Sequence, residues 1–469
     1  MSPARRPTRR DLLQTAAGAT ALTVAGCLSE QQPIETEQQP AESDGTTPPS
    51  TRDSTATPAS GNDSAPTSGS WRQFGADVRN TGHAPDAAGP GADGAEIAWR
   101  FDAGTPTMNT SPVVREGTVY VPGSGDPGLV HAVDLVSGEG VWAFEPTGYA
   151  TSSFALVDGT LYIGTWGREF YAVDAATGDP RWRREVGHRF GNSSPAVVDG
   201  TVYVGTVGDG PLVVGGPEDE EQFEACAFLA LDAETGDLEW DYRKFGEREN
   251  IDSSPAVADG TVYFGGETSL YALDAETGEV VWTRDIPTHV DSSPAIADGV
   301  VYYGAPSDSD MGPLARLLAL DAASGETLWT AGIEDQSLRT SPAVADGTVY
   351  VAASSRRVCI GVGGEESTCS GETRGRLYAV DAANGDERWR AEIETDTRSS
   401  PAVADGTVYV GCDDGLSAVT TDGDTAWRVD FESDDEDAPY VDSSPAVAGG
   451  HVFIGASDGR LRAVGPVGN

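Results

Sequence analysis

Eight times along this 469-residue chain a Ser/Thr-Ser-Pro segment follows a polar side chain. Those side chains are Asn109, Thr151, Asn192, Asp252, Asp291, Arg339, Arg398 and Asp442. Each lies three positions before the proline or, for Thr151, before the phenylalanine that replaces it. If the eight segments stand side by side, amides, a hydroxyl, carboxylates and guanidiniums face one common space. Arg339 and Arg398 then offer the planar fork that pairs with a carboxylate or phosphate. The same set also suits a solvated channel whose charges pair among themselves. Trp166, in Gly-Thr-Trp-Gly-Arg, adds a flat surface that stacks on a ring or sugar, or simply covers its own part of the scaffold.

Other catalytic patterns are missing. His83, His131, His188, His289 and His451 have no metal-ligand spacing and read as structural. No CxxC pair occurs. Cys359 and Cys369 flank a glycine-rich loop and could close a disulfide outside the cell, while Cys226 and Cys412 are far apart in sequence. The Gly-Val-Gly-Gly run near Gly361 lacks the strand-then-helix context of a dinucleotide loop. The acidic stretches at Ser307 and Glu432 do not follow the spacing of a calcium loop. No metal site is expected.

The elements that would position the eight polar residues are repeats. Eight segments resemble Ser-Ser-Pro-Ala-Val-Ala-Asp-Gly-Thr-Val-Tyr-Val-Gly, about 40 residues apart, the spacing of a four-stranded propeller blade. A second motif, as in "LYALDAETGEVVW" ending at Trp282, also occurs eight times and places Trp99, Trp142, Trp182, Trp240, Trp282, Trp329, Trp389 and Trp427. Each unit reads as strands A and B joined by an Asp-Gly turn, then C and D joined by a turn such as Ala-Glu-Thr-Gly. In that turn Asp274 accepts backbone N–H groups, Gly278 takes a positive φ, and Trp282 packs on the next blade. Such a set, copied around a ring, is scaffold chemistry. The last unit has no tryptophan strand of its own, and the first tryptophan strand precedes the first Ser-Pro segment, so the N-terminal strand must close the last blade. Long insertions follow Gly205, Gly304 and Ala352, all on the B–C loop face, where recognition is expected.

The AxDxxTGxxxW pattern resembles the pyrroloquinoline quinone (PQQ)-type repeat, from Trp71 to the C-terminus, and "WRQFGADVRNTGHAP" is similar to the lead-in of such proteins. The resemblance implies an all-β, eight-bladed propeller of four-stranded antiparallel blades. That superfamily holds quinoprotein dehydrogenases and non-catalytic lipoproteins such as the β-barrel assembly scaffold. The enzymes use adjacent cysteines, a calcium held by carboxylate and amide groups, and a catalytic Asp. This chain has no adjacent cysteine pair, and no local motif locates the rest. The expectation is a non-enzymatic binding or scaffold module without PQQ or Ca²⁺. A quinoprotein dehydrogenase and a carbohydrate- or surface-binding propeller are the alternatives.

Net charge is −45, which repels nucleic acid and anionic membranes. Dense carboxylates beside a single lysine, Lys244, resemble proteins of extreme halophiles. Residues Thr8–Gln14 resemble a twin-arginine export signal, and the apolar stretch after them ends in Val-Ala-Gly-Cys, a lipobox with Cys27 as the lipidated residue. Residues 1–27 are thus expected to be a signal peptide, 28–70 a Ser/Thr/Pro-rich tether that cannot offset its ordering entropy, and 71–469 the propeller. The expected state is a monomer anchored on the outer face of the cytoplasmic membrane, meeting a protein partner or polar ligand. Asn62 is an exposed glycosylation pattern. Asn109 and Asn192 match it too, but are expected in buried inner strands. Cys27→Ser should move the protein from the membrane to the soluble fraction; unchanged membrane retention would remove the lipid anchor.

Overall fold

The computed structural model describes residues 70–126, 128–208, 226–243, 250–286, 292–305, 314–335, 337–355, 358–360, 368–370, 374–393, 395–432 and 439–468. All lie in the compact unit Asp63–Asn469. Cys27, Asp291, His289 and most of the three long insertions fall outside them.

Each repeat folds into four antiparallel strands paired in chain order. Blade 4 is typical, with A at Ala256–Ala258, B at Thr261–Gly265, C at Ser269–Asp274 and D at Val280–Asp285. Blades 1 to 8 begin at Val113, Ala155, Ala196, Ala256, Ala295, Ala343, Ala402 and Ala446. The A–B turn needs two left-handed residues, and Asp259 (φ 49°) and Gly260 (φ 74°) supply them. In the C–D turn Asp274 Oδ1 accepts the N–H groups of Glu276 and Thr277 and the Thr277 hydroxyl. These bonds, the Thr277 hydroxyl foremost, hold its carboxyl below the usual range.

The repeated tryptophan is the latch between blades. Trp240 Nε1 donates to the Ala275 carbonyl of the next blade at 3.0 Å. Its ring lies so close to Gly278 that an added Cβ there would sit 2.6 Å from it. The same pairing joins Trp99 to Gly138, Trp142 to Gly178, Trp182 to Gly236, Trp282 to Gly325, Trp329 to Gly385 and Trp389 to Gly423. Gly278 is therefore required twice, for its φ of 70° and for the ring it touches. Trp427 docks instead on the lead-in, donating to the Gly91 carbonyl at 2.7 Å.

The ring closes as the motif order demands. Ala95–Asp102 pairs antiparallel with Arg460–Pro466 and completes blade 8, with Trp99 opposite Ala463. Around the axis, the second serine of each Ser-Ser-Pro segment forms a continuous belt. The N–H of Ser111 donates to Ser153 Oγ, Ser153 to Ser194, Ser194 to Ser254, Ser254 to Ser293, Ser293 to Ser341, Ser341 to Ser400 and Ser400 to Ser444. Ser444 N–H returns to Ser111 Oγ, and all eight bonds measure 2.9–3.0 Å. The first serine has a different task within its blade: Ser193 Oγ accepts the Gly205 N–H and Ser253 Oγ that of Gly265.

The lead-in segment is a stopper in the channel. Carbonyls of Trp71, Arg72, Val78, Arg79, Thr81 and Gly82 accept the mid-strand N–H groups of Val114, Leu156, Val257, Ile296, Val344 and Val403, the innermost strands of six blades. Asn80, buried and left-handed (φ 54°), donates through Nδ2 to the carbonyls of Ser254, Pro255 and Pro294.

Several sequence expectations are refined. Asn192 is exposed and Asn109 half-buried at the entry to strand A, so neither sits in a buried inner strand. Cys359 and Cys369 stand opposite each other in an extra two-stranded hairpin, Val358–Ile360 with Thr368–Ser370. His131 is buried against the Ala103 carbonyl, and His451 Nδ1 lies 2.9 Å from the Gly449 carbonyl, both structural roles. Cys226 and Cys412 are both buried. No described helix is long and apolar enough to cross a membrane. Asn80→Ala should cost about 1–3 kcal/mol, the penalty for orphaned buried polar groups. Denaturant titration in high salt measures it; an unchanged midpoint would show that the stopper carries no stability.

Candidate binding cavity at the channel mouth

Strands A are only three residues long and run into the channel from D–A connections on the B–C loop face. Residues just before them therefore crowd around the axis. Seven of the eight positions singled out from sequence, Asn109, Thr151, Asn192, Asp252, Arg339, Arg398 and Asp442, line one open cavity of about 590 Å³. Asp291 lies outside the described residues. The serine belt lines the same cavity, and Phe74 of the stopper also borders it.

The cavity has two unlike arcs. Blades 4, 6, 7 and 8 bring charge, through Asp252, Arg339, Arg398 and Asp442, partly committed within the ring. Arg398 and Asp442 form an ion pair at 3.6 Å, and Asp252 Oδ1 accepts the Asn192 N–H at 3.1 Å. Burial pushes the Asp442 carboxyl up, against the pull of Arg398. Blades 1 to 3 bring neutral groups, among them Asn109, Tyr149, Thr151, Ser152 and Asn192. Two buried atoms on this arc, Asn109 Oδ1 and Ser152 Oγ, have no hydrogen-bond partner among the described residues.

Trp166 is not among the cavity-lining residues. It stacks on Tyr149, centroids 5.7 Å apart and planes 18° from parallel, and donates through Nε1 to Thr151 Oγ1 at 3.2 Å. The Arg189 guanidinium lies 5.4 Å from its ring. Of the two roles open to it, Trp166 takes the supporting one, and Tyr149 is the aromatic residue that meets the cavity. The sequence signal for Tyr149 was its place two residues before Thr151.

A second feature was not anticipated. An adjoining cleft of about 430 Å³ shares Arg398 and Asp442 and adds Thr395, Asp396, Asp413, Asp414 and Tyr440. Asp413 and Asp414 form the two-residue B–C turn of blade 7, between paired Cys412 and Gly415. Partial burial, with the Asp396 charge adding to it, lifts the Asp413 carboxyl to about 6. The sequence clue was the shortness of this loop, which keeps both carboxylates close to the axis.

A family profile described as "Outer membrane protein assembly factor BamB", built on PQQ-type repeats, matches residues 126–255, 229–361 and 315–468. The chain belongs to that family. A quinohemoprotein alcohol dehydrogenase of Comamonas testosteroni is 29% identical over 156 residues, 31% of this chain and 21% of that protein. The outer membrane protein assembly factor BamB of Yersinia pestis is 24% identical over 213 residues, 42% of this chain and 51% of that protein. The chain thus spans no more than about half the length of these curated relatives. Among solved structures, BamB from Moraxella catarrhalis matches with a TM-score of 0.58 at 17% identity, over 79% of this chain and 100% of that one. The C. testosteroni dehydrogenase gives 0.62 at 16%, over 85% and 81%. At such identities the likeness carries the fold.

The raised carboxyl of Asp413 sets a pH dependence. Its folded-state pKa, about 6, exceeds the ordinary 3.8. The native state then holds the proton more tightly, so this group's contribution to stability falls as pH rises through that window. Asp413→Asn should raise the melting temperature at pH 8 and lose the advantage near pH 4. Equal gains at both pH values would contradict a buried, titrating Asp413.

Proposed function

We propose that this chain is a non-catalytic binding module of the PQQ-repeat propeller type, exported and held by a lipid anchor, which presents its B–C loop face to a partner or polar ligand. The observation that carries this reading is the commitment of mouth charges within the ring: Arg398 faces Asp442, and Asp252 holds the Asn192 backbone. Such groups shape and orient; they are not poised as an acid and base around a reacting atom. The assembly-factor relatives support a role in holding partners.

A dehydrogenase reading is favoured by the quinoprotein relatives, which makes PQQ the cofactor to weigh. The residues do not fit it. A compact polyanion entering the cavity would meet Asp252, Asp442 and the acceptor Asn109 Oδ1 beside Arg339 and Arg398, the latter already paired with Asp442. The chain has no adjacent cysteine pair to cover it, and Cys226 and Cys412 are buried away from the cavity. Among the described residues no three His, Cys, Asp or Glu groups are placed to hold a cation that would offset this repulsion.

Calorimetry and an absorbance scan of the protein folded with PQQ and Ca²⁺ in high salt should show no stable complex, and alcohols and sugars should drive no dye reduction. Stoichiometric binding with substrate-dependent turnover would sink the binding-module reading and establish the enzyme.

A further inference from the structure

We propose that the channel-mouth cavity is a saccharide site, taking a neutral sugar of one or two rings on the arc formed by blades 1 to 3. The proposal rests on the binding-module reading and names the ligand chemistry of that same site.

Each belt hydroxyl oxygen accepts a backbone N–H from the neighbouring blade. Its own O–H hydrogen remains to be donated, and every belt serine lines the cavity. The cavity therefore carries a ring of neutral hydroxyls, each with an O–H to donate and a second lone pair to accept. Among the described residues no three His, Cys, Asp or Glu groups are placed to hold a cation there. An anion gains little, since Asp252 and Asp442 offset Arg339 and Arg398 at the mouth and the overall charge is −45. What suits converging O–H donors is an uncharged ligand rich in oxygen acceptors.

The neutral arc supplies the other half of the match. Asn109 Oδ1 and Ser152 Oγ are buried acceptors without a partner among the described residues. Leaving such atoms unpaired is costly, so a ligand that donates to them gains what the protein alone forgoes. Ser152 is only 2% exposed. Its counterparts in other blades are occupied, as Ser193 with the Gly205 N–H and Ser443 with the Gly455 N–H. The Thr151 hydroxyl oxygen accepts from Trp166, which leaves its hydrogen to be donated as well. A sugar hydroxyl both donates and accepts, and so answers this mixed set in a way that a pure donor or pure acceptor does not.

Tyr149 adds an aromatic residue beside these groups. Stacking on Trp166 fixes the orientation of its ring before any ligand arrives. A rigid amphipathic ring pays little entropy to receive the C–H face of a sugar. The cavity, about 590 Å³, is of the size small-ligand sites usually have.

The test is calorimetric titration of the full chain in detergent and high salt with maltose, cellobiose and N,N′-diacetylchitobiose, alongside inorganic phosphate and calcium chloride. At least one disaccharide should bind at millimolar concentration or better, while phosphate and calcium alone give no saturable heat at the cavity. Tyr149→Ala and Asn109→Ala should each weaken the sugar about tenfold, the loss expected for a partner of this kind. Ser152→Ala, a mild change inside the scaffold, should weaken it in the same direction. Melting curves identify any variant that fails to fold, and Asn109→Asp replaces Asn109→Ala in that case. Absence of binding by all three sugars, or sugar binding indifferent to Tyr149, Asn109 and Ser152, overturns the proposal, as does saturable phosphate binding that Arg398→Ala abolishes. PQQ-dependent turnover would sink the binding-module reading whatever the sugars do. A protein inert to PQQ that binds none of the sugars would lose only the saccharide assignment.

Discussion

Everything in this molecule depends on satisfying the inner edges of eight short strands around one axis. Each strand A pairs with strand B on one side and faces the channel on the other, where its N–H groups have no ladder. Two devices meet that need. The belt gives each Ser-Pro segment an acceptor from the next blade, ending where it began at Ser111. The stopper gives the mid-strand N–H groups of six blades a carbonyl. Serine suits the belt because the axis is crowded and the acceptor must sit one atom beyond Cβ. Alanine at that place would break the circle and orphan a buried donor.

At the outer radius the same logic uses larger groups. Trp240, Gly278 and the Ala275 carbonyl bind blade 3 to blade 4 by one ring, one missing side chain and one hydrogen bond. Exceptions occur where closure breaks the repeat. Blade 8 lacks a Thr-Gly turn, and Trp427 of blade 7 finds its acceptor in Gly91 of the lead-in. The chain leading into the first strand thus does what a C–D turn does elsewhere, while the following strand, Ala95–Asp102, acts as strand D of the last blade.

Because repeated residues hold the ring, variation concentrates at positions the ring does not use. The residue before each Ser-Ser-Pro segment changes from amide to carboxylate to guanidinium around the mouth. This makes a cavity with a neutral arc and a charged arc on a nearly symmetric frame. The short Asp413–Asp414 turn extends the charged arc into the adjoining cleft, where burial, with the Asp396 charge adding to it, raises the Asp413 carboxyl.

The eight blades, their strand order, the turn chemistry of Asp274 and Gly278, the latch formed by Trp282, and closure by the first tryptophan strand were all legible in the sequence. Each is a local pattern copied many times, and a propeller's geometry follows from repetition of one unit. The positions of Asn109, Thr151, Asn192 and Asp252 at the mouth were legible for the same reason. Tertiary structure alone decided how those positions interact: the pairing of Arg398 with Asp442, the support of Tyr149 by Trp166, the idle oxygen of Ser152 and the path of Trp71–Ala88 through the channel. Asn80 reaches carbonyls at Ser254 and Pro294, more than 170 residues away. Such contacts have no sequence spacing, because ring closure brings together residues whose distance along the chain carries no information about their distance in space.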